Sequence, residues 1–180
     1  AAARFLDEIA RGGWPRPTGA HVAHLTASLH GSLAFTGIGH GTDRAVIAGL
    51  NGLTPQWADA EAIDAVVELT HQEREIRPQG HPAYRFDPSV DLVLDRKRPL
   101  PGHANGMEFS AYDTGRRLLY RRVFYSIGGG FVVDGAELEA MKSGEGERKP
   151  SGVPYPFSDA LEMLSMARAS GLSIAQMKRA

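Results

Sequence analysis

Met107-Glu108-Phe109-Ser110-Ala111-Tyr112, then Asp113-Thr114-Gly115, then Leu118-Leu119-Tyr120-Arg121-Arg122-Val123-Phe124-Tyr125-Ser126-Ile127, is the stretch that decides the fold. Two runs rich in apolar, aromatic and β-branched residues flank a polar Asp-Thr-Gly turn, the pattern of an antiparallel hairpin. Antiparallel pairing sets the start of the first strand beside the end of the second. Gly102-His103-Ala104-Asn105-Gly106 lies at that start and Gly128-Gly129-Gly130 follows that end, so chain order alone puts both loops at one edge of a sheet. Phe131 to Asp134 starts a further strand. Arg121 and Arg122 alternate across the second strand, which leaves one of them exposed.

Upstream, Ala23, Leu25, Ala27, Leu29 and Gly31 alternate with His24, Thr26, Ser28 and His30. A period of two over residues 21–35 predicts a half-buried strand with His24 and His30 on its polar face. Phe5, Leu6 and Ile9 at helical spacing predict a helix over 2–11, stopped by Gly12-Gly13. Thr42 can cap a helix carrying Ala45, Val46, Ala48 and Leu50 that ends near Asn51-Gly52. Residues 59–76 read as another helix with Ile63, Val66, Val67 and Leu69 inward. Residues 84–94 read as a strand or hairpin, and Arg96-Lys97-Arg98 as a solvated turn. Residues 142–149 read as a mobile charged loop, 153–157 as a rigid proline-broken connector, and 158–169 and 173–178 as two helices. Strands and helices mix without regular βαβ alternation, so the fold class is α+β, a mixed or antiparallel sheet packed with helices.

Composition bounds the function. The chain has 180 residues and a formal net charge of -1 from 20 basic and 21 acidic residues, giving no field to hold nucleic acid or an anionic membrane. No apolar run approaches the roughly 20 residues of a membrane span, and residues 1–10 lack the order of a signal peptide, so a cytoplasmic protein is expected. With 42% apolar residues, one domain over 1–180, or two tightly packed lobes, is expected. The absence of cysteine excludes a disulfide, a thiolate nucleophile, and an iron-sulfur cluster ligated by cysteines of this chain.

The candidate site residues fall in glycine-flanked loops suited to a small anionic ligand. His40, in Gly39-His40-Gly41-Thr42-Asp43, precedes a helix N-terminus, where backbone N–H groups and a partial positive charge favour a carboxylate. His103, Asn105 and Ser126 supply an imidazole, an amide and a hydroxyl at the sheet edge. Gly128, Gly129 and Gly130 are either a bend requiring positive φ or an anion-binding nest of N–H groups. His21, His24, His30, His71 and His81 read as structural or surface residues. No dinucleotide, P-loop, zinc-protease or nucleophile-elbow motif is present. A metal site of His40, Asp43 and His103 is a further reading.

Four segments in order carry a resemblance: Gly31-Ser32-Leu33-Ala34-Phe35-Thr36-Gly37-Ile38-Gly39-His40-Gly41-Thr42-Asp43; His103-Ala104-Asn105-Gly106-Met107; Tyr125-Ser126-Ile127-Gly128-Gly129-Gly130-Phe131-Val132-Val133-Asp134; and Val153-Pro154-Tyr155-Pro156-Phe157. Together they resemble the β domain of the bacterial iron-sulfur-dependent L-serine dehydratases (L-serine ammonia-lyases). The resemblance implies a fold related to the allosteric substrate-binding domain of phosphoglycerate dehydrogenases. It also implies a parent enzyme that deaminates L-serine to pyruvate and ammonia with a [4Fe-4S] cluster. That cluster would be held by a separate α domain or subunit, and a homodimer is expected. It carries His40 and Thr42 into the catalytic region, with His103, Asn105, Ser126, Gly128, Gly129 and Gly130 near substrate. The family's Gly-Pro-Ser-Ser-Ser-His-Thr segment does not occur here, and His30 stands where a tyrosine is usual. This chain alone is expected to be inactive. The alternative is a free-standing amino-acid-binding regulatory domain.

Overall fold

In the computed structural model, which describes residues 1–143 and 154–179, the deciding hairpin forms as read. Its strands are β5 (Asn105–Tyr112) and β6 (Leu118–Gly128), antiparallel from Gly106 opposite Tyr125 to Tyr112 opposite Leu118. Ahead of them come α1 (Ala2–Arg11), β1 (His24–Gly31), α2 (Ser32–Thr36), a 3-10 turn (Ile38–His40), α3 (Thr42–Leu50), α4 (Ala60–Glu73), β2 (Glu75–Ile76), β3 (Tyr84–Arg85), α5 (Pro88–Asp91) and β4 (Leu92–Asp95). After them come β7 (Phe131–Asp134), α6 (Gly135–Lys142), α7 (Ala160–Ser170) and α8 (Ile174–Met177). The fold is α+β. The chain divides into two compact units, 1–139 and 140–180.

The first unit is built on a seven-stranded mixed sheet in the order β2-β3-β1-β5-β6-β7. β1 is its centre: β5 pairs antiparallel along one edge, while β3 and β4 pair parallel along the other, one after the other. The odd residues of β1 fill the core, with Leu25 and Leu29 fully buried beside Phe5, Ile47, Leu50, Phe86, Phe109 and Phe124. Burying each of these side chains contributes about 1.5–3 kcal/mol before the entropy of ordering is counted. Phe5 of α1 stacks on Phe109 at 5.4 Å and on Tyr120 at 5.9 Å. α1 and α3 approach closely at Gly49, where an added Cβ would stand 2.8 Å from the Ala2 Cβ. Asn51 at the end of α3 ties the helices to the sheet: its amide donates to Ile47 O and to buried Thr70, and its oxygen accepts from the Arg77 N–H.

The structure corrects several expectations. The strand predicted over 21–35 ends at Gly31, whose φ of 57° turns the chain into α2. The alternation that suggested a longer strand continues into residues that are helical. His24 and His30 are 5% and 4% exposed, so the polar face of β1 is covered at both ends. His24 Nε2 lies 2.8 Å from Asp91 Oδ1 on α5, and His30 Nδ1 is 2.7 Å from the Arg98 carbonyl oxygen. Residues 84–94 form two short strands around α5. The helix over 59–76 ends at Glu73 because Arg74 takes the left-handed conformation (φ 57°), and Glu75–Ile76 becomes β2. Within it Leu69 is exposed and Thr70 buried. Gly41, not Thr42, occupies the N-cap of α3, and Thr42 is the first helical residue. Arg121 and Arg122 do split, Arg122 reaching Glu8 and Asp134.

The second unit contains α7, capped by the Asp159 side chain, which accepts from the Glu162 N–H, and α8, which opens with a reciprocal Ser173–Gln176 capping box. The charged loop predicted over 142–149 and the start of the connector at Val153 lie outside the described residues, apart from Lys142 and Ser143 at the end of and just after α6.

Candidate functional site

At the end of β1 the backbone is drawn tight. Gly31 sits opposite Asn105, and its Cα hydrogen faces Ala104 so closely that a Cβ there would lie 2.2 Å from the Ala104 carbonyl oxygen. The same carbonyl accepts from the Ser32 N–H at 2.8 Å. Only glycine allows this approach with φ at 57°. The contact binds the His103 loop to the start of α2. The Tyr125 hydroxyl, buried in β6, donates to the Pro101 carbonyl and pins the other side of that loop.

Within the loop the Asn105 N–H donates to His103 Nδ1 at 3.1 Å, and the Asn105 side-chain amide donates to the Ser126 carbonyl at 3.2 Å. The second bond crosses from β5 to β6 at the sheet edge where sequence order had set these residues together. The first fixes a tautomer: a neutral His103 that accepts at Nδ1 carries its proton at Nε2, leaving an N–H donor for a ligand.

His40 closes the 3-10 turn. Its backbone N–H donates to Gly37 O at 3.2 Å, as does that of Thr42 at 2.8 Å, so the turn folds back on Gly37 and delivers Thr42 to the first turn of α3. The imidazole is exposed and carries no side-chain hydrogen bond among the described residues, so both ring nitrogens are open. Asp43, three residues after His40, keeps Oδ1 buried without a partner.

Thr42 and Ser126 line one open cavity of about 240 Å³. Its apolar wall comes from Leu33, Val46, Met107 and Val132. Two hydroxyls on an apolar surface at a helix N-terminus suit a small polar ligand. The structure therefore brings Thr42, Ser126, Asn105 and His103 into one connected region, the first two in the cavity and the last two bracing its β5–β6 edge. His40 stands two residues before Thr42 and is not among the cavity's lining residues. Gly128, Gly129 and Gly130 have φ of 97°, 60° and 82° and form the exposed turn from β6 to β7. His40, Asp43 and His103 do not form a metal-ligand group: among the described residues, no three His, Asp or Glu side chains are placed to hold an ion. Sequence reasoning missed the apolar wall, because Leu33, Val46, Met107 and Val132 carry only an element's periodicity. Leu33, Met107 and Val132, which lie within the quoted segments, were the available signal.

Residues 1–137 match the protein family described as serine dehydratase beta chain. The chain is 39% identical over 156 residues to an L-serine dehydratase of Streptomyces coelicolor, covering 87% of this chain and 34% of that protein. It is 36% identical over 176 residues to an L-serine dehydratase of Haemophilus influenzae, covering 97% and 36%. It is 33% identical over 175 residues to L-serine dehydratase 1 of Escherichia coli, covering 97% and 36%. The chain thus spans about a third of the length of these relatives.

Proposed function

The chain belongs to the serine dehydratase beta chain family, and from that premise we propose that it is the β portion of an L-serine dehydratase, an ammonia-lyase converting L-serine to pyruvate and ammonia in the cytoplasm. The observation that carries the reading is the cavity shared by Thr42 and Ser126, with the His103–Asn105 loop bonded to Ser126 at its edge. A [4Fe-4S] cluster does not fit this chain's own residues: there is no cysteine in the sequence, and no three-ligand group among the described residues. In this reading the cluster belongs to an α domain or subunit. We further propose that the active parent is a homodimer and that the isolated chain is inactive.

The roles follow from what each group offers. Elimination of water from serine begins with loss of a weakly acidic α proton, and a base must take it. His40, with both ring nitrogens open, is the base or the group that orients it. The α3 N-terminus and the Thr42 hydroxyl receive the substrate carboxylate, whose charge the helix dipole favours. His103 Nε2–H and the Ser126 hydroxyl are donors that hold the amino acid's polar groups, while Asn105 keeps both strands of the edge in register. Gly128, Gly129 and Gly130 let the backbone approach the ligand closely. The Leu33–Met107–Val132 wall limits side-chain size, so that serine fits and bulkier amino acids are excluded.

The test is steady-state pyruvate formation by the full parent enzyme carrying Thr42→Val, which keeps volume and removes the hydroxyl. The expected result is a fall in kcat/KM of about tenfold to a hundredfold with the cluster content unchanged. Wild-type kinetics in this variant would remove Thr42 from the site.

A further inference from the structure

The opposite end of β1 carries a second polar cavity. It has a volume of about 200 Å³ and is lined by Ala23, His24, Arg85, Asp113, Thr114 and Arg116. Strand register assembles it: His24 is paired with Arg85 on β3 and with Tyr112 on β5, and the β5–β6 turn follows directly after Tyr112. Seven residues of extended chain separate His24 from Gly31, about 23 Å, so this cavity is remote from the Thr42–Ser126 site.

Its charges are unbalanced. Asp113 is committed to Arg117, accepting from that residue's backbone N–H at 2.9 Å and from its guanidinium at 3.1 Å. Those bonds hold the Asp113 carboxyl below the usual carboxylate range. Arg85 and Arg116 are both exposed, and neither makes an ion pair or a side-chain hydrogen bond among the described residues. His24, 5% exposed, keeps Nδ1 buried without a hydrogen-bond partner, while its Nε2 faces Asp91. A buried ring nitrogen without a partner costs free energy that a ligand or a water can recover. Two unpaired guanidiniums and a threonine hydroxyl around so small a space are a donor set for an oxyanion. The volume is below the roughly 300–1,000 Å³ of sites for larger organic ligands.

We propose that this cavity is a binding site for a small oxyanion, a phosphate or a short carboxylate, bound by Arg85 and Arg116 and distinct from the site that holds Thr42. The proposal is independent of the dehydratase reading, because it concerns binding to this chain and needs no turnover.

The experiment is a two-dimensional amide NMR titration of this chain with inorganic phosphate and, separately, with malonate. It compares the wild type with Arg85→Gln, with Arg116→Gly, which keeps the left-handed turn, and with Arg121→Gln as a control on the exposed face of β6. The expected result is saturable shifts at residues 23, 24, 85 and 113–116 with one or both anions. Affinity should fall about tenfold in each of the first two variants and stay unchanged in the control. Saturation by phosphate alone assigns the site to phosphorylated ligands, and by malonate alone to carboxylic acids. Shifts that do not saturate with either anion, or that persist in Arg85→Gln and Arg116→Gly, would overturn the proposal.

Discussion

Gly31 shows how one residue decides both the fold and the site. It ends β1, turns the chain into α2 and lets Ala104 approach, so the two loops that carry His40 and His103 depend on the same missing Cβ. Gly31→Ala would set a methyl group against a carbonyl oxygen at a positive φ. The expected loss is about 2 kcal/mol or more of unfolding free energy, read from the urea midpoint. An unchanged midpoint would mean that the Ala104 loop is free to move away. At the same scale, the Asn105 N–H at Nδ1 leaves a neutral His103 with its donor at Nε2, whereas the His40 ring makes no side-chain hydrogen bond among the described residues. Part of this was legible in the sequence. The glycine flanks marked both loops because strained or close-packed backbone selects glycine. The pairing of Thr42 with Ser126 was not legible, because they are 84 positions apart and only the packing of α3 on the sheet joins them.

Among the elements, α1 and the β6–β7 end of the sheet are joined by an ion network. Arg4 bonds Glu137 at 2.8 Å and Asp134 at 3.1 Å, and Arg122 bonds Asp134 at 2.8 Å and Glu8 at 2.9 Å. Asp134 and Glu137 also exchange backbone bonds, the reciprocal cap that starts α6. Burial pushes the Asp134 carboxyl up. The Glu137 N–H and the two arginines outweigh it and hold the carboxyl below its ordinary value. The Arg4 hydrogen bond, with the Asp134 N–H, likewise holds Glu137 down. A carboxyl whose folded pKa lies below its unfolded one contributes stability that is present above the unfolded value and lost as pH falls through the folded one. Stability should therefore fall as pH drops below about 4, and Asp134→Asn should flatten that acid limb while costing about 1–3 kcal/mol at neutral pH. Urea midpoints across pH check both, and parallel acid limbs in the two proteins would contradict the assignment. The β5–β6 hairpin was readable because its period and turn are local. The burial of His24 and His30 was not, because α5 and the Arg98 backbone that cover them reach the strand only through the sheet's parallel pairings.

At the scale of the whole molecule, the chain belongs to the serine dehydratase beta chain family, spans about a third of the length of its relatives, and contains no cysteine. Composition could say that no cysteine-held cluster resides here, but it could not say which face presents the site. In the fold, Leu33 of α2, the first turns of α3 and strands β5, β6 and β7 line one cavity with an apolar wall, the face proposed for the site. Among the described residues, no helix is long and apolar enough to cross a membrane. The most direct test of the central claim is the anaerobic rate of pyruvate formation from L-serine by the full parent enzyme after cluster reconstitution, comparing wild type with His40→Ala and His103→Ala. On the proposed roles of base and positioning donor, both variants should lose about a hundredfold or more in rate while retaining fold and cluster. Wild-type rates in both, with the cluster loaded, would contradict the placement of the two histidine loops at the active site.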